Sequence, residues 1–220
     1  MISIIIPARG TEPYLPHLVN DIRKHVSRPY EVLIQTEKEF GNAVLTGVKR
    51  AHGQFIVIMD ADGSHNPKYL PEMIKKLHGA DVVIGSRYVA GGWNGDTFLR
   101  KIASILFCKI SLLLLRLEIR DPMSGFLALR KHVFERLVIN PIGYKIGLEI
   151  IVKGRRKLRI IEQPIIFEKC KMGKDSVSHS NFKQAFKTFQ FMFRLGVYSK
   201  LHTSLKYYDN ILKTVGDQTW

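Results

Sequence analysis

Ile56-Val57-Ile58-Met59-Asp60-Ala61-Asp62-Gly63-Ser64-His65 is an apolar, partly β-branched run that ends abruptly in two carboxylates one residue apart. With nothing polar inside it, the run predicts a strand of a parallel sheet buried on both faces. Asp60 and Asp62 then fall at the carboxyl end of that strand, where open α/β sheets bind their ligands. Alternate residues of an extended chain point the same way, so both carboxylates can serve one site. Two like charges this close call for a cation, and a hard divalent ion that also holds a diphosphate suits the oxygen donors. The plainer reading of the same residues is a solvated acidic turn that starts the next helix.

The flanking sequence repeats one pattern. Upstream, Ile2 to Ile6 predicts a first strand, Tyr14 to Val26 a helix, Tyr30 to Ile34 a second strand and Gly41 to His52 a second helix closed by Gly53. Downstream, Asn66-Pro67 opens a helix carrying Leu70, Met73, Ile74 and Leu77, and Asp81 to Ile84 predicts a fourth strand. Strands alternating with helices predict an α/β fold, a mostly parallel, Rossmann-like sheet with helices on both faces.

The second half is less regular. Ala90 to Asp96 is a glycine-rich loop, and Phe98 to Leu117 is strongly apolar, with Arg100, Lys101, Arg116 and Arg120 at its ends. It reads either as a buried core helix or as a helix in a membrane interface with its cations at headgroup level. Asp121-Pro122-Met123-Ser124-Gly125-Phe126 predicts a tight turn into a short strand through Leu129. Lys131 to Leu137 and Ile146 to Lys153 predict helices, Leu158 to Phe167 an extended segment, and Lys169 to His179 a basic loop. Beyond Asn181, Phe182, Phe186, Phe189, Phe193 and Val197 recur at helical spacing among basic residues. This C-terminal amphipathic helix either docks on its own domain or lies on a membrane. The expected division is a domain over 1–180 and a basic helical tail over 181–220.

The 220 residues are 45% hydrophobic, enough for a substantial core, and carry a formal net charge of +15 with a pI near 9.9. Such a balance implies anionic partners: nucleic acid, an anionic membrane or phosphorylated substrates. Cys108 and Cys170 lack metal-ligand spacing, so neither a disulfide framework nor an oxidising compartment is expected. Ile2 to Ile6 is too short for the core of a secretion signal. Ile102 to Leu115, interrupted by Lys109, falls short of the roughly 20 apolar residues that a bilayer span needs.

Taken in order, several segments resemble the polyprenyl-phosphate sugar synthases of glycosyltransferase family 2, the dolichyl-phosphate mannose synthase-like enzymes of GT-A fold. These are Ile4-Ile5-Ile6-Pro7, Gly41 with Ala43 and Gly47, Met59 to Pro67, Gly85-Ser86-Arg87-Tyr88, Asp121 to Phe126, Gly147-Leu148-Glu149-Ile150 and Glu162-Gln163-Pro164-Ile165. The resemblance covers about residues 1–180. It implies an inverting, metal-dependent transferase that moves a sugar, mannose from GDP-mannose before others, onto a polyprenyl or dolichyl monophosphate. It places the enzyme peripherally at the cytoplasmic face of a membrane and is compatible with a membrane partner subunit.

The resemblance also implies roles for particular residues. Asp60 and Asp62, with Ser64 where many relatives have a glutamine, would hold Mg²⁺ or Mn²⁺. Nucleotide contacts would come from Pro7, Ala8, Arg9 and Glu12, from Leu33 and Gln35, from Asp60, Ala61 and Asp62, and from Arg87, Lys169 and Lys174. Arg100, Lys101, Asp121 and Ser124 would face the acceptor, and Asp62, Arg87 and Arg100 would be catalytic. The chain departs from its relatives where Gln35 replaces an aspartate, in a first turn one residue longer, and where Cys170 and Ser176 replace an arginine and a lysine beside Lys169, Lys171 and Lys174.

The chemistry fits the charge. A phosphate monoester is already anionic, so it needs no strong base; it needs cations that bring it to an anionic sugar diphosphate. The alternative is a non-catalytic GT-A-like protein that binds a nucleotide sugar or a membrane. A nucleotidyltransferase is a further option on such a sheet. A nucleic-acid partner is not expected, because no recognition motif accompanies the positive charge.

Overall fold

The computed structural model describes residues 1–8, 13–140, 145–169 and 186–199. In chain order the elements are β1 (Ile2–Pro7), α1 (Leu15–His25), β2 (Tyr30–Gln35), α2 (Phe40–Arg50), β3 (Phe55–Ile58) and a 3-10 turn at Pro67–Tyr69 that leads into α3 (Leu70–Lys76). Then come β4 (Val82–Ser86), β5 (Trp93–Asn94), α4 (Phe98–Leu115), β6 (Leu127–Arg130), α5 (His132–Arg136), α6 (Ile146–Gly154), β7 (Ile160–Pro164) and β8 (Ile166–Phe167). A final helix, α7, spans residues 186–199.

Local chemistry sets several boundaries. A proline lies in the first turn of α1, and Arg23, Lys24 and His25 sit in its last turn, where cations oppose the negative end of the helix dipole. The Asn66 side chain accepts the N–H of Lys68 and starts the Pro67 turn.

Six strands form one sheet in the order β2-β1-β3-β6-β4-β7. All neighbours are parallel except β6, which runs antiparallel to both β3 and β4. Each face carries its own apolar layer. Ile4, Ile6, Val57 and Met59 pack with Leu18 and Ile22 of α1 and Met73 and Ile74 of α3. Ile5, Ile56, Ile58 and Ile84 pack with Val44 and Val48 of α2, Val133 of α5 and Ile150 of α6. This alternation along β1 and β3 is the period-two signature of strands covered on both sides.

The glycine-rich loop holds more order than its composition suggests, because Trp93 and Asn94 pair in parallel with Ile166 and Phe167. The apolar stretch from Phe98 is not a buried core helix. Only Cys108, Ser111 and Leu115 of α4 are buried, while Phe98, Leu99 and Leu113 are 74%, 78% and 81% exposed. The C-terminal helix divides its faces. Phe191, Met192 and Leu195 of α7 dock on Cys108, Leu115, Leu148 and Val152 of α4 and α6. Of the aromatic face expected from the sequence, Phe186, Phe189, Phe193 and Val197 are exposed, and Phe182 lies outside the described residues. Among the described residues no helix is long and apolar enough to cross a membrane.

Candidate active site

The reversed strand explains how the site is assembled. Leu127, the first residue of β6, lies opposite both Ile58 and Ile84. The residues that follow β3, those that follow β4 and those that precede β6 therefore meet at one end of the sheet. They are Asp60 to His65, Gly85 to Tyr88 and Asp121 to Phe126. That end is also where neighbouring connections diverge, β2 lying on one side of β1 and β3 on the other.

The carboxylates are held differently. Asp62 Oδ1 accepts the Ser64 hydroxyl at 2.6 Å and the Ser64 N–H at 3.0 Å. Ser64 is fully buried, so its hydroxyl orients Asp62. Asp60 keeps 38% of its side chain open. Burial pushes its pKa up and the charge of Asp62 adds to the rise, while His65, Lys145 and Arg87 oppose it. His65 Nδ1 lies 3.8 Å from Asp60 Oδ2, but it accepts the Asp60 backbone N–H at 3.0 Å. A nitrogen that accepts carries no proton, so this pair is not an ion pair. Burial holds the imidazole pKa below its ordinary value, in keeping with a neutral ring stacked on Phe126 at 4.9 Å. Gly63, between the carboxylate and the serine, has φ +79° and lies against Tyr14, whose ring would stand 2.4 Å from an added Cβ.

Arg87 and Asp121 form a bidentate pair. Arg87 Nε and Nη2 each donate to an Asp121 oxygen at 2.7 Å, and the Arg87 N–H adds a third bond at 2.9 Å. Asp121 is fully buried and the Arg87 side chain 11% exposed. Burial works against the charged guanidinium, but the Asp121 bonds outweigh it and hold the Arg87 pKa above its usual value. Asp121 is fixed in turn by Glu162, which accepts the N–H groups of Arg120 and Asp121, each at 2.9 Å. Ser124 donates to the Gly85 carbonyl at 2.6 Å and accepts the Phe126 N–H.

Lys145, just before α6, donates to the Met123 carbonyl at 3.2 Å. Burial lowers its pKa, as does Arg87 beside it, against the pull of Asp60 and Asp121. At the end of β2, Gln35 is 2% exposed and its Nε2 has no hydrogen-bond partner among the described residues. Tyr88 connects the Arg87 loop to α4, donating to Ser104 at 2.8 Å and accepting from Asn94 at 3.2 Å. Arg100, one turn before Ser104, lies 3.7 Å from Asp96. The Lys101 ammonium lies 4.4 Å from the Trp93 ring centre.

The sequence model of glycosyl transferase family 2 matches residues 28–138, half of the chain, from β2 through α5. The chain belongs to glycosyl transferase family 2. Over 145 residues it is 43% identical to a dolichol-phosphate mannosyltransferase of Pyrococcus furiosus, covering 63% of this chain and 41% of that protein. A Saccharomyces cerevisiae protein of the same name is 34% identical over 60% of the chain and 51% of its own length. A polyprenol monophosphomannose synthase of Mycolicibacterium smegmatis is 32% identical over 63% and 54%. The chain thus spans about half the length of the curated relatives it matches. The fold is that of GT-A structures. Glucosyl-3-phosphoglycerate synthase of Mycobacterium tuberculosis superposes with a TM-score of 0.67 at 13% identity, over 90% of this chain and 80% of that one. The same enzyme with Mn²⁺, UDP and phosphoglyceric acid gives a TM-score of 0.65 at 14% identity, over 87% and 78%.

In this family-2 chain the fold brings Asp60, Ala61, Asp62, Ser64, Arg87, Asp121 and Ser124 to one end of the sheet. Pro7 and Ala8 close β1 beside Gln35, whose carbonyl accepts the Ala8 N–H at 2.8 Å, and Leu33 lies within β2 opposite Ile5. Arg100 and Lys101 occupy the first turn of α4. Lys169 follows β8, its N–H near Gly95. Arg9, Glu12, Lys174 and the replacements Cys170 and Ser176 lie outside the described residues. Asp121 and Ser124, expected to face the acceptor, are engaged by Arg87 and the Gly85 carbonyl. The sequence reading missed Lys145, Glu162 and Tyr88. Glu162 stood in a quoted motif, but nothing there pointed to a turn 41 residues away.

Proposed function

We propose that this chain transfers mannose from GDP-mannose to a polyprenyl monophosphate at the cytoplasmic face of a membrane, with inversion at the anomeric carbon. One observation carries the reading: a partly open carboxylate pair stands beside a guanidinium fixed in place by a buried aspartate. The names of the three curated relatives supply the sugar and the lipid class.

Asp60 and Asp62 fit a divalent cation. Both are oxygen donors on one loop, Asp62 is pre-oriented by Ser64, and Asp60, whose pKa is raised by burial first and by the charge of Asp62 after it, is a carboxylate that a cation would help to ionise. Mg²⁺ or Mn²⁺ held there would neutralise the diphosphate as it leaves. Arg87 keeps Nη1 outside its bonds to Asp121, so the fork is immobilised with one donor edge left for a phosphate. Lys145 adds an ammonium on the same side. Gln35 brings to the end of β2 an amide nitrogen without a partner among the described residues, which a nucleoside would satisfy. Arg100 and Lys101 supply cations at the head of α4 for the acceptor phosphate. Its charge makes a strong base unnecessary, so these residues serve by position and charge. Two outward apolar faces, one on α4 and one on α7, suit peripheral attachment to the bilayer that holds the lipid.

The test is transfer itself. The purified chain is incubated with Mn²⁺, a short polyprenyl phosphate and radiolabelled GDP- and UDP-sugars, and label is extracted into organic solvent. Metal-dependent lipid labelling from GDP-mannose, absent in Asp60→Ala/Asp62→Ala, is the expected result. Metal-dependent nucleotide binding without labelling from any donor would favour a binding protein instead.

A further inference from the structure

A second polar feature lies far from the carboxylates. A cavity of about 700 Å³ opens where the C-terminal end of α4, the turn after α6 and α7 meet. Its apolar lining includes Leu115, Ile119, Ile151 and Leu158, and its basic groups are Arg116, Arg155 and Arg156. It sits at the opposite end of the sheet from Asp60, since Ile160 in its wall pairs with Val82 at the start of β4. Arg100 and Arg116 bracket α4, whose 18 residues span about 27 Å.

The three arginines are poorly compensated. None forms an ion pair among the described residues, and Glu118 is the acidic residue of the lining. Arg155 is anchored, donating to the Leu115 carbonyl at 2.6 Å and to Ser199 at 2.5 Å. Burial lowers its pKa and the neighbouring charges of Arg156 and Arg116 lower it further, so the three guanidiniums repel one another. Arg116 also caps α4 with φ +51°, a left-handed position where glycine is usual. A bulky cation stands there against local preference. Leu114 in the lining is exposed, and so are its chain neighbour Leu113 on α4 and Val197, which follows the lining residue Gly196 on α7.

We propose that Arg116, Arg155 and Arg156 bind the phosphate of an anionic phospholipid, with the rim of α4 and α7 seated among its acyl chains. Charge complementarity selects the headgroup, and the apolar rim selects a lipid over a soluble anion. The inference rests on the membrane reading above. With cations at both ends, α4 would lie along the bilayer and hold the carboxylate cleft at one height over it.

The test uses the full chain and cosedimentation at physiological salt. The vesicles are phosphatidylcholine, with or without about a third phosphatidylglycerol. The variant is Arg116→Gly/Arg156→Gln, in which glycine suits the left-handed backbone and Arg155 keeps its helix contacts. Arg23→Gln/Arg28→Gln removes the same charge elsewhere. The wild type should prefer anionic vesicles, and the double variant should lose about tenfold or more of that preference while binding neutral vesicles unchanged. The charge-matched control should lose less than about threefold. Equal binding by variant and wild type, or equal loss in the control, overturns the site and leaves membrane binding intact. If the wild type binds neither vesicle, the membrane reading falls and the site with it. Inorganic phosphate is the competing arm: thermal stabilisation by phosphate that the variant loses, without any vesicle preference, overturns the lipid in favour of a soluble anion.

Discussion

His65 Nδ1 accepts the backbone N–H of Asp60 at 3.0 Å, so a neutral imidazole fixes the peptide that carries the first carboxylate. His65→Ala removes that acceptor and the ring stacked on Phe126. A tenfold to hundredfold weaker Mn²⁺ affinity is expected, about the loss seen when support behind a ligand is removed. Calorimetric titration with Mn²⁺ checks it, with circular dichroism to show that the fold survives. An unchanged affinity would mean that Asp60 needs no such support.

The Arg87–Asp121 pair should separate stability from activity. Asp121→Asn leaves a buried guanidinium uncompensated and should cost roughly 3–5 kcal/mol. Arg87→Met/Asp121→Leu should recover most of that stability, because the paired charges leave together, yet stay inactive for want of a phosphate donor. Thermal melts and lipid labelling on both proteins read the two effects. Activity in the double variant would remove Arg87 from the mechanism.

Glu31 gives a pH dependence remote from the site. Burial alone would raise its pKa, but hydrogen bonds from Ser3 and from the backbone and ring of His52 bring it down to about 2. A folded pKa below the unfolded one contributes stability that is full above the unfolded value, near 4.5, and is lost as pH falls toward 2. The melting temperature should therefore drop across that window, and Glu31→Gln should flatten the drop. A slope unchanged by the substitution would locate the acid sensitivity elsewhere.

The outward faces of α4 and α7 predict a loss of attachment without a loss of fold. Leu99→Glu/Phe193→Glu places charge on two side chains that are 78% and 67% exposed. Binding to phosphatidylcholine vesicles should fall more than about tenfold, since each buried apolar side chain is worth roughly 1.5–3 kcal/mol. The melting temperature in buffer should stay put; a lower one would mean that these side chains pack within the protein.

The parallel sheet was readable because its strands are continuous apolar runs and because Asp60 and Asp62 mark where one of them stops. The reversal of β6 was not, since Leu127-Ala128-Leu129 looks the same in either direction. The pairing of Trp93 and Asn94 with Ile166 and Phe167 was equally hidden, because two residues make no period. For α4 and α7 hydrophobicity identified the helices but not the side that is covered. Asp60, Asp62 and Ser64, proposed here for the metal, stand in one motif and could be named from it. The Arg87–Asp121 pair joins segments distant in sequence, so its two residues could be suspected but their pairing could not, and Lys145, which reaches the Met123 carbonyl from just before α6, carried no signal at all.

The reversed strand also sets a timetable. While the chain is being made, β3 and β4 cannot zip together directly, because the place between them belongs to residues 127–130. Until β6 arrives, β2, β1 and β3 present one open edge and β4, whose other partner β7 is made later still, has no strand beside it. Joining β3 to β4 and seating the Asp121 turn at the end of the sheet thus wait on the same strand, and a chain interrupted before β6 would keep both edges open.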